Sequence, residues 1–241
     1  MAVPIVFFDE CLGSLAIYAE SPRIFTNNEK VLLSMFASQT ALAIKNAQLN
    51  EQTQLNYLDT INAFVLTMEA RHPYTWGHAE RVTRYALEIG RHIHLGEEDL
   101  GMIRWLGKLH DLGKIAVPDR ILDKPGKLTL AERAQIELHA TRGAEMLEPL
   151  RFLHRGLCIV KNHHERYDGN GYPDALAGEN IPVLARVVSV ADAFDAMTTD
   201  RSYRKALSIQ EAVAEIKNNQ GTQFDPQLAN VFLELLEKEA A

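Results

Sequence analysis

Nine histidines are distributed along this chain of 241 residues, and several stand next to carboxylates. His110 is followed directly by Asp111, and His163-His164-Glu165 ends a predicted helix. Imidazole and carboxylate groups bind divalent metals, whereas Cys11 and Cys158 are too few for a thiolate cage. Because structural zinc sites favour cysteine, this mixture of side chains suits a hydrolytic Fe, Mn or Zn centre better.

Further candidate ligands stand alone on other predicted helices. His78 opens one helix, His139 follows a long loop, and Asp192 interrupts an apolar helix face where an unpaired carboxylate would be costly. Taken singly, a histidine is more often a surface residue or a hydrogen-bonded core residue, but this explanation weakens for the whole set. A bridging carboxylate can hold two metals about 3.5–4 Å apart, which activate water and polarise a phosphoryl oxygen. We therefore predict phosphodiester hydrolysis.

The candidate ligands lie in a C-terminal region whose pattern predicts helices only. The predicted helices are 76–94, 97–112, 130–146, 150–164, 183–198, 209–219 and 226–238. Ser/Thr-x-x-Glu capping boxes at 129–132 and 208–211 support two of the starts, and Asp225-Pro226 supports a third. The loops 113–129 and 165–182 are long and rich in Gly, Pro, Asp and Lys, which is typical of functional loops.

The N-terminal region has a different pattern. Short apolar runs at 4–8 and 12–18 predict two paired strands, and a capping box of Thr26 and Glu29 opens a helix without Gly or Pro until Pro73. A heptad-like stripe follows this helix at Ile44, Ala47, Leu58, Ile61, Val65 and Met68. The stripe fits either a parallel dimer or a helix packed on its own domain, and the sequence leaves both open.

Composition argues against several classes of protein. An apolar fraction of 46% with 24% charged residues is typical of a globular protein with a core. The net charge of −7 argues against binding to nucleic acid or to an anionic membrane, because both need a basic face. The N-terminus lacks a signal-peptide pattern, and no window reaches the ~18 apolar residues that span a membrane. We therefore expect a cytoplasmic protein without membrane insertion.

Two motifs carry a family resemblance. The sequences HDLGK at 110–114 and HHERYDGNGYP at 163–173 resemble the HD-GYP family of cyclic di-GMP phosphodiesterases, and the resemblance covers about residues 55–240. It implies an all-α HD-domain helical bundle, a cyclic dinucleotide substrate and a role in bacterial second-messenger signalling. The chain is thus expected to be mainly α, a metal-dependent phosphodiesterase that hydrolyses cyclic di-GMP.

The resemblance also implies roles for individual residues. It makes seven residues metal ligands: His78, His110, Asp111, His139, His163, His164 and Asp192. Asp111 would bridge two metals and, with His110 and Lys114, form the catalytic set. Substrate contacts would come from Lys114, Tyr172, Arg201 and Arg204. The leaving 3′-oxygen needs a proton from water or from a nearby acid, a choice that the sequence leaves open, and His164 or Asp195 is a candidate only if it is free of metal or core duties.

One position departs from part of the family. Members with three metals have Glu four residues before the first histidine, and here that residue is Tyr74. A neutral phenol, with a pKa of about 10, is a poor metal ligand, so we predict two divalent ions per chain. Fe or Mn is expected, and Ni or Zn also suits these ligands. Since metal count is linked to product in the family, we expect linear pGpG as the main product, with GMP as a further one.

The first 50 residues resemble the C-terminal part of a GAF domain, in Gly13–Ile17, Phe25-Thr26 and Ala41–Ala47. The resemblance divides the chain into a GAF-like remnant at 1–50, a linker helix at 51–72 that forms a homodimer, and a phosphodiesterase domain at 73–241. The pocket-forming part of a GAF domain is missing, so we expect no sensing by this chain alone; a fragment of a longer protein or a misassigned start would explain this. The alternative is a small strand pair beside a dimer helix.

Two rival functions remain. One is another HD-type phosphohydrolase that acts on a different nucleotide, which the intact Gly-Tyr-Pro sequence disfavours. The other is a signalling module that binds cyclic di-GMP with little or no turnover, which has no need of seven metal ligands. Turnover by the purified, metal-loaded protein separates the three possibilities.

Overall fold

The structure is a computed structural model that describes residues 1–71, 77–124, 126–200 and 205–240. It is mainly helical, as predicted, and divides into two compact units, Met1–Thr60 and Ile61–Ala241. The strands are β1 (Ala2–Phe7) and β2 (Glu10–Ala16). The helices are α1 (Asn27–Arg71), α2 (His78–His92), α3 (Glu97–Leu106), α4 (Asp119–Leu122), α5 (Leu130–Leu147), α6 (Leu157–Asn162), α7 (Val183–Thr198), α8 (Ile209–Asn218) and α9 (Pro226–Ala240). None of the helices in these described ranges is long and apolar enough to cross a membrane.

The first unit is a hairpin on a helix. Strands β1 and β2 pair in antiparallel register from Ala2 opposite Ala16 to Phe7 opposite Glu10, which confirms the predicted strand pair. The apolar face of the hairpin packs on the first part of α1, in a small core of Val3, Ile5, Leu33, Ala37 and Ala41. The predicted capping box opens α1, because Thr26 and Glu29 exchange backbone-to-side-chain hydrogen bonds.

The stripe along α1 is used partly for packing. Ile61 is only 6% exposed and belongs to the core of the second unit, and Val65 packs against that core. Ile44 packs against the core of the first unit, whereas Ala47 is exposed. This supports packing on the same chain for Ile61 and Val65, one of the two alternatives. The side chains of Leu58 and Met68 lie outside the described residues.

Helix α7 runs through the core of the second unit. Its buried residues occur all around the helix, among them Val187, Val188, Val190 and Ala191, because it contacts α2, α6, α8 and α9. Such a helix excludes water on most sides, so its two carboxylates, Asp192 and Asp195, must find partners inside the protein. The predicted bounds of α5, α7, α8 and α9 agree with the structure to within two residues, and their predicted caps at 129–132, 208–211 and Asp225 form.

Two predicted helices are wrong in extent. The helix predicted at 97–112 ends at Leu106, and the chain turns over 107–111 before a 3-10 helix at Leu112–Ala116. A Cβ on Gly107 would lie 2.9 Å from Oγ1 of Thr83, so glycine allows α2 to approach the turn closely. The helix predicted at 150–164 is a 3-10 helix, Arg151–Gly156, followed by α6. The loops 113–129 and 165–182 contain short helical turns.

Candidate metal centre

The fold brings all seven predicted ligands together in two neighbouring groups. His78 begins α2, the pair His110-Asp111 lies in the turn after α3, His139 lies within α5, the pair His163-His164 follows α6, and Asp192 lies on α7. The first group, the His139 group, contains Asp111, His139, His163 and His164. The second, the His78 group, contains His78, His110 and Asp192. Within each group all ligand atoms lie within 4.8 Å of one another.

Asp111 stands between the two groups. Its Oδ1 lies 3.3 Å from Nε2 of His139 and 3.9 Å from Nε2 of His163. Its Oδ2 lies 3.5 Å from Nε2 of His110 and 4.0 Å from Nε2 of His78. Ligand atoms that share one ion at about 2.1 Å are typically about 3.0–3.5 Å apart. Each oxygen of this carboxylate therefore has one nitrogen of a different group within that range, Nε2 of His139 at 3.3 Å for Oδ1 and Nε2 of His110 at 3.5 Å for Oδ2.

Backbone carbonyls fix the orientation of three histidine rings. In His110, His139 and His163, Nδ1 lies 2.7, 2.6 and 3.0 Å from the carbonyl oxygen three residues earlier. A carbonyl only accepts hydrogen bonds, so Nδ1 carries the proton and Nε2 keeps a free lone pair. In all three residues Nε2 is therefore the nitrogen that is available to a metal in the two groups. This is the tautomer that a metal-binding histidine needs.

Four buried atoms of the centre lack a hydrogen-bond partner among the described residues. They are Nε2 of His110, His139 and His163, and Oδ1 of Asp111. An unsatisfied buried polar atom costs about 1–3 kcal/mol. Nε2 of His139 and Oδ1 of Asp111 are 3.3 Å apart but are both acceptors, so they cannot satisfy each other. A cation between them would satisfy both, and the residues present therefore fit a divalent metal.

The charge states of most ligands also suit a metal. Burial opposes ionisation of Asp111 and Asp192, but the charge of Lys114 for Asp111 and the hydrogen bond with His78 for Asp192 hold the pKa of each carboxyl well below its usual range. Burial lowers the pKa of His110, of His163 and, to about 3, of His164. At neutral pH these carboxylates are charged and these imidazoles are neutral, as metal binding requires.

His78 differs from the other histidines. Burial opposes its protonation, but hydrogen bonds with Asp192 and Asp195 outweigh burial and raise its pKa to about 9. Its Nε2 lies 3.3 Å from Oδ1 of Asp192, and its Nδ1 lies 2.7 Å from Oδ2 of Asp195. The imidazole of His78 thus lies between two carboxylates, and both of them favour its protonated form.

The predicted substrate contacts are placed in part. Nζ of Lys114 lies 2.5 Å from Oδ2 of Asp111, at the edge of the centre. The ring of half-buried Tyr172 lies against His164, with ring centroids 4.9 Å apart and planes at 33°. Arg201 and Arg204 lie outside the described residues. Tyr74, from which the number of metal ions was predicted, also lies outside them.

Neither predicted proton donor is free. Asp195 is engaged by His78 and Arg81, and His164 belongs to the His139 group, so the condition attached to that prediction is not met. The contact of Asp195 with His78 is not among the features predicted from the sequence. A signal was present, because Asp192 and Asp195 are three residues apart and therefore share a helix face.

The chain is similar to several known phosphodiesterases. The HD domain family matches residues 37–228. The chain is 38% identical over 200 residues to the cyclic di-GMP phosphodiesterase response regulator RpfG of Xanthomonas campestris, covering 81% of this chain and 53% of that protein. It is 36% identical over 209 residues to the 3′3′-cGAMP-specific phosphodiesterase 3 of Vibrio cholerae, covering 86% and 45%. A cyclic di-GMP phosphodiesterase of Thermotoga maritima is 39% identical over 173 residues, covering 71% and 47%.

Solved structures share the fold. A cyclic GMP-AMP specific phosphodiesterase of V. cholerae superimposes with a TM-score of 0.52 at 24% identity, covering 68% of this chain and 44% of that one. The HD domain of the Listeria monocytogenes phosphodiesterase PgpH, in complex with cyclic di-AMP, gives a TM-score of 0.53 at 16% identity, covering 74% and 95%. The chain spans about half the length of the curated relatives that it matches.

Proposed function

Because the chain belongs to the HD domain family, we propose that it is a metal-dependent phosphodiesterase that hydrolyses cyclic di-GMP to linear pGpG, with GMP as a further product. The observation that carries this proposal is the position of Asp111, whose two oxygens face two separate groups of ligand atoms. Paired metals that share a carboxylate are suited to phosphodiester cleavage. Relatives that are 38–39% identical are named as cyclic di-GMP phosphodiesterases, which supports the substrate.

Each group of ligands would hold one divalent ion, with Asp111 shared between them. Fe or Mn is proposed, and Ni or Zn also suits imidazole and carboxylate ligands. When bound, such ions supply an activated water and polarise a phosphoryl oxygen. The four unsatisfied buried atoms described above support this occupancy.

Side chains of the protein are proposed to neutralise charge and to contact the substrate. Lys114 lies beside Asp111 and is proposed to neutralise the phosphate oxygens as negative charge develops, together with Arg201 and Arg204. Arginine suits this role because its planar group contacts phosphate through two hydrogen bonds. Tyr172 is proposed to contact the substrate from its position against His164. The acid that protonates the leaving oxygen is proposed to be water.

A second candidate substrate has specific support. Relatives that are 32% and 36% identical over more than 200 residues are named as 3′3′-cGAMP-specific phosphodiesterases. Both dinucleotides present the same phosphodiester linkage to the centre and differ in one base. 3′3′-cGAMP is therefore the alternative substrate to be compared directly with cyclic di-GMP.

The N-terminal region is proposed to organise the assembly. We propose that residues 1–50 are the C-terminal part of a GAF-like domain, that 51–72 form a linker helix and that 73–241 form the phosphodiesterase domain. The hairpin packed on α1 supports the first assignment, while the two compact units divide at residue 60. The chain is further proposed to form a homodimer through α1 and to act in the cytoplasm.

Metal content and turnover, measured on the same samples, test the proposed function. Protein purified with and without air is assayed for metals per chain and for conversion of cyclic di-GMP and 3′3′-cGAMP, with products separated by chromatography. We expect two ions per chain and formation of pGpG, both lost in Asp111→Ala. The exposed carboxylate of Glu179 provides the matched control, Glu179→Ala, which should keep both.

The other outcomes assign the chain differently. Preference for 3′3′-cGAMP supports the second substrate, and three ions per chain contradict the two-metal prediction. Metal-loaded protein that binds the dinucleotide without cleaving it contradicts the proposal and supports a binding module. Cleavage of other nucleotides alone supports a different phosphohydrolase.

A further inference from the structure

The second nitrogen of His78 has an unusual partner for this centre. Nδ1 of His110, His139 and His163 faces a backbone carbonyl, whereas Nδ1 of His78 faces the carboxylate of Asp195 at 2.7 Å. Asp195 is only 1% exposed, so this carboxylate was buried at a cost in free energy. A charged acceptor fixes an imidazole ring more firmly than a neutral carbonyl does and increases the basicity of the opposite nitrogen.

Arg81 holds the carboxylate in place. Its Nε lies 2.5 Å from Oδ1 of Asp195 and its Nη2 lies 3.0 Å from Oδ2, which is a two-point contact. Nη2 also lies 3.3 Å from Oγ1 of Thr199, at the end of α7. The planar guanidinium restricts rotation of the carboxylate, because both oxygens are contacted at once.

The backbone before His78 makes room for this arrangement. Gly77 has a φ of 70°, which side-chain-bearing residues rarely adopt, and a Cβ there would lie 3.0 Å from Nη1 of Arg81. Three side-chain pairs join α2 and α7: His78 with Asp192, His78 with Asp195, and Arg81 with Asp195. Asp192 belongs to the His78 group, whereas Asp195 and Arg81, which hold the Nδ1 side of the His78 ring, belong to neither ligand group.

We propose that Asp195, held by Arg81, is a positioning residue that sets the affinity of the His78 group for its metal and leaves the His139 group unaffected. This inference rests on the proposed function, in which both groups bind metal. Only the His78 group should be affected, because the pair of Asp195 and Arg81 contacts one candidate ligand ring, that of His78. The rings of His139 and His163 are oriented by carbonyls of their own helices. Loss of such an outer partner typically weakens metal binding by about 10–100-fold.

Titration of the metal-free full chain with Mn²⁺ alone tests the inference, with bound ion counted by equilibrium dialysis and mass spectrometry. The wild type should bind two ions. Asp195→Asn should bind one ion as the wild type does and the other about 10–100-fold more weakly. Arg81→Gln, a milder change at a partly exposed residue, should lower the affinity for the same ion. The affinity of Arg81→Lys for this ion should lie between those of Arg81→Gln and the wild type. Asp99→Asn, which breaks an arginine–aspartate pair with Arg155 outside the ligand groups, is the matched control.

His78→Ala separates failure of this inference from failure of the proposed function. If His78→Ala loses one ion and Asp195→Asn binds both like the wild type, the inference is wrong and the metal centre stands. The inference is also wrong if Asp195→Asn and Arg81→Gln lower the affinity for both ions equally. A general structural role of the two residues would then explain the loss of affinity. If His78→Ala itself binds two ions normally, the assignment of His78 as a ligand fails.

Discussion

The carboxylate of Glu165 accepts the backbone N–H of Asp174 at 2.7 Å and that of Leu176 at 3.1 Å. Glu165 is 2% exposed and directly follows His163-His164, so it ties the loop that carries Tyr172 to the segment that carries two candidate ligands. The side chain of Asp174 strengthens this connection by accepting from Nδ2 of Asn162. We expect the position of the Tyr172 ring against His164 to depend on these contacts.

Replacing Glu165 should therefore affect substrate binding more than metal binding. In Glu165→Ala the two N–H groups lose their acceptor, which should lower the free energy of unfolding by about 1–3 kcal/mol. We expect a raised KM for cyclic di-GMP with two ions still bound, measured by steady-state kinetics and metal analysis. A variant that loses metal while KM is unchanged would contradict this role. Glu179→Ala, on the same loop, is the control.

Glycine is required where the 3-10 helix Leu112–Ala116 crosses α5. A Cβ on Gly113 would lie 1.9 Å from the carbonyl oxygen of His139 and 2.6 Å from the backbone nitrogen of Gly143. Gly113→Ala should therefore destabilise the second unit by about 3 kcal/mol or more. Gly101→Ala is the matched control, because no described atom beyond its chain neighbours and the nearby backbone of its own helix lies within 4 Å of the added methyl group. Since Gly101 lies within α3, that change should stabilise by about 0.5–1 kcal/mol. Urea unfolding of the two variants measures both effects.

The packing of Ile61 changes how a dimer through α1 should be tested. Ile61→Asp would place a charge in the core, so we expect loss of folding, with about 3 kcal/mol or more of destabilisation. Ala47 lies on the same stripe and is exposed. Ala47→Asp should convert a dimer to a monomer in sedimentation experiments without lowering the melting temperature of the second unit. A wild-type chain that is monomeric at all concentrations would rule out the dimer.

The cap of α5 predicts a dependence of stability on acid. Hydrogen bonds from Lys124 and from the backbone and side chain of Thr129 lower the pKa of Glu132 to about 2, from an ordinary value of 4.5. Because the pKa is lower in the folded state, the stabilisation is complete above pH 4.5 and is lost as pH falls towards 2. Glu132→Gln should therefore be less stable than the wild type at pH 7, and the difference should shrink below pH 4.5. Denaturant midpoints at several pH values measure it. A constant difference down to pH 3 would contradict the assignment.

Local patterns account for what the sequence revealed. Adjacent His-Asp and His-His pairs, a charge within an apolar helix and capping boxes are each visible within a few residues, and the structure brings the seven candidate ligands together. What the sequence did not reveal depends on contacts between distant segments. Thr83 lies close to Gly107 in the turn at 107–111, and the pairing of His78 with Asp195 joins residues 117 positions apart. The three-residue spacing of Asp192 and Asp195 places them on one helix face, but no local pattern identifies the distant residue that pairs with Asp195.

The shared use of Asp111 makes the ligands unequal under mutation over evolutionary time. In the proposed two-metal centre, six of the seven ligands would serve one group each, so a lineage that loses one of them would still retain the other ion. Loss of Asp111 removes a donor from both groups in a single step. Descendants that have abandoned catalysis should therefore be recognisable by replacement at this position, whereas replacement of His78 alone would mark a protein that has changed its metal content.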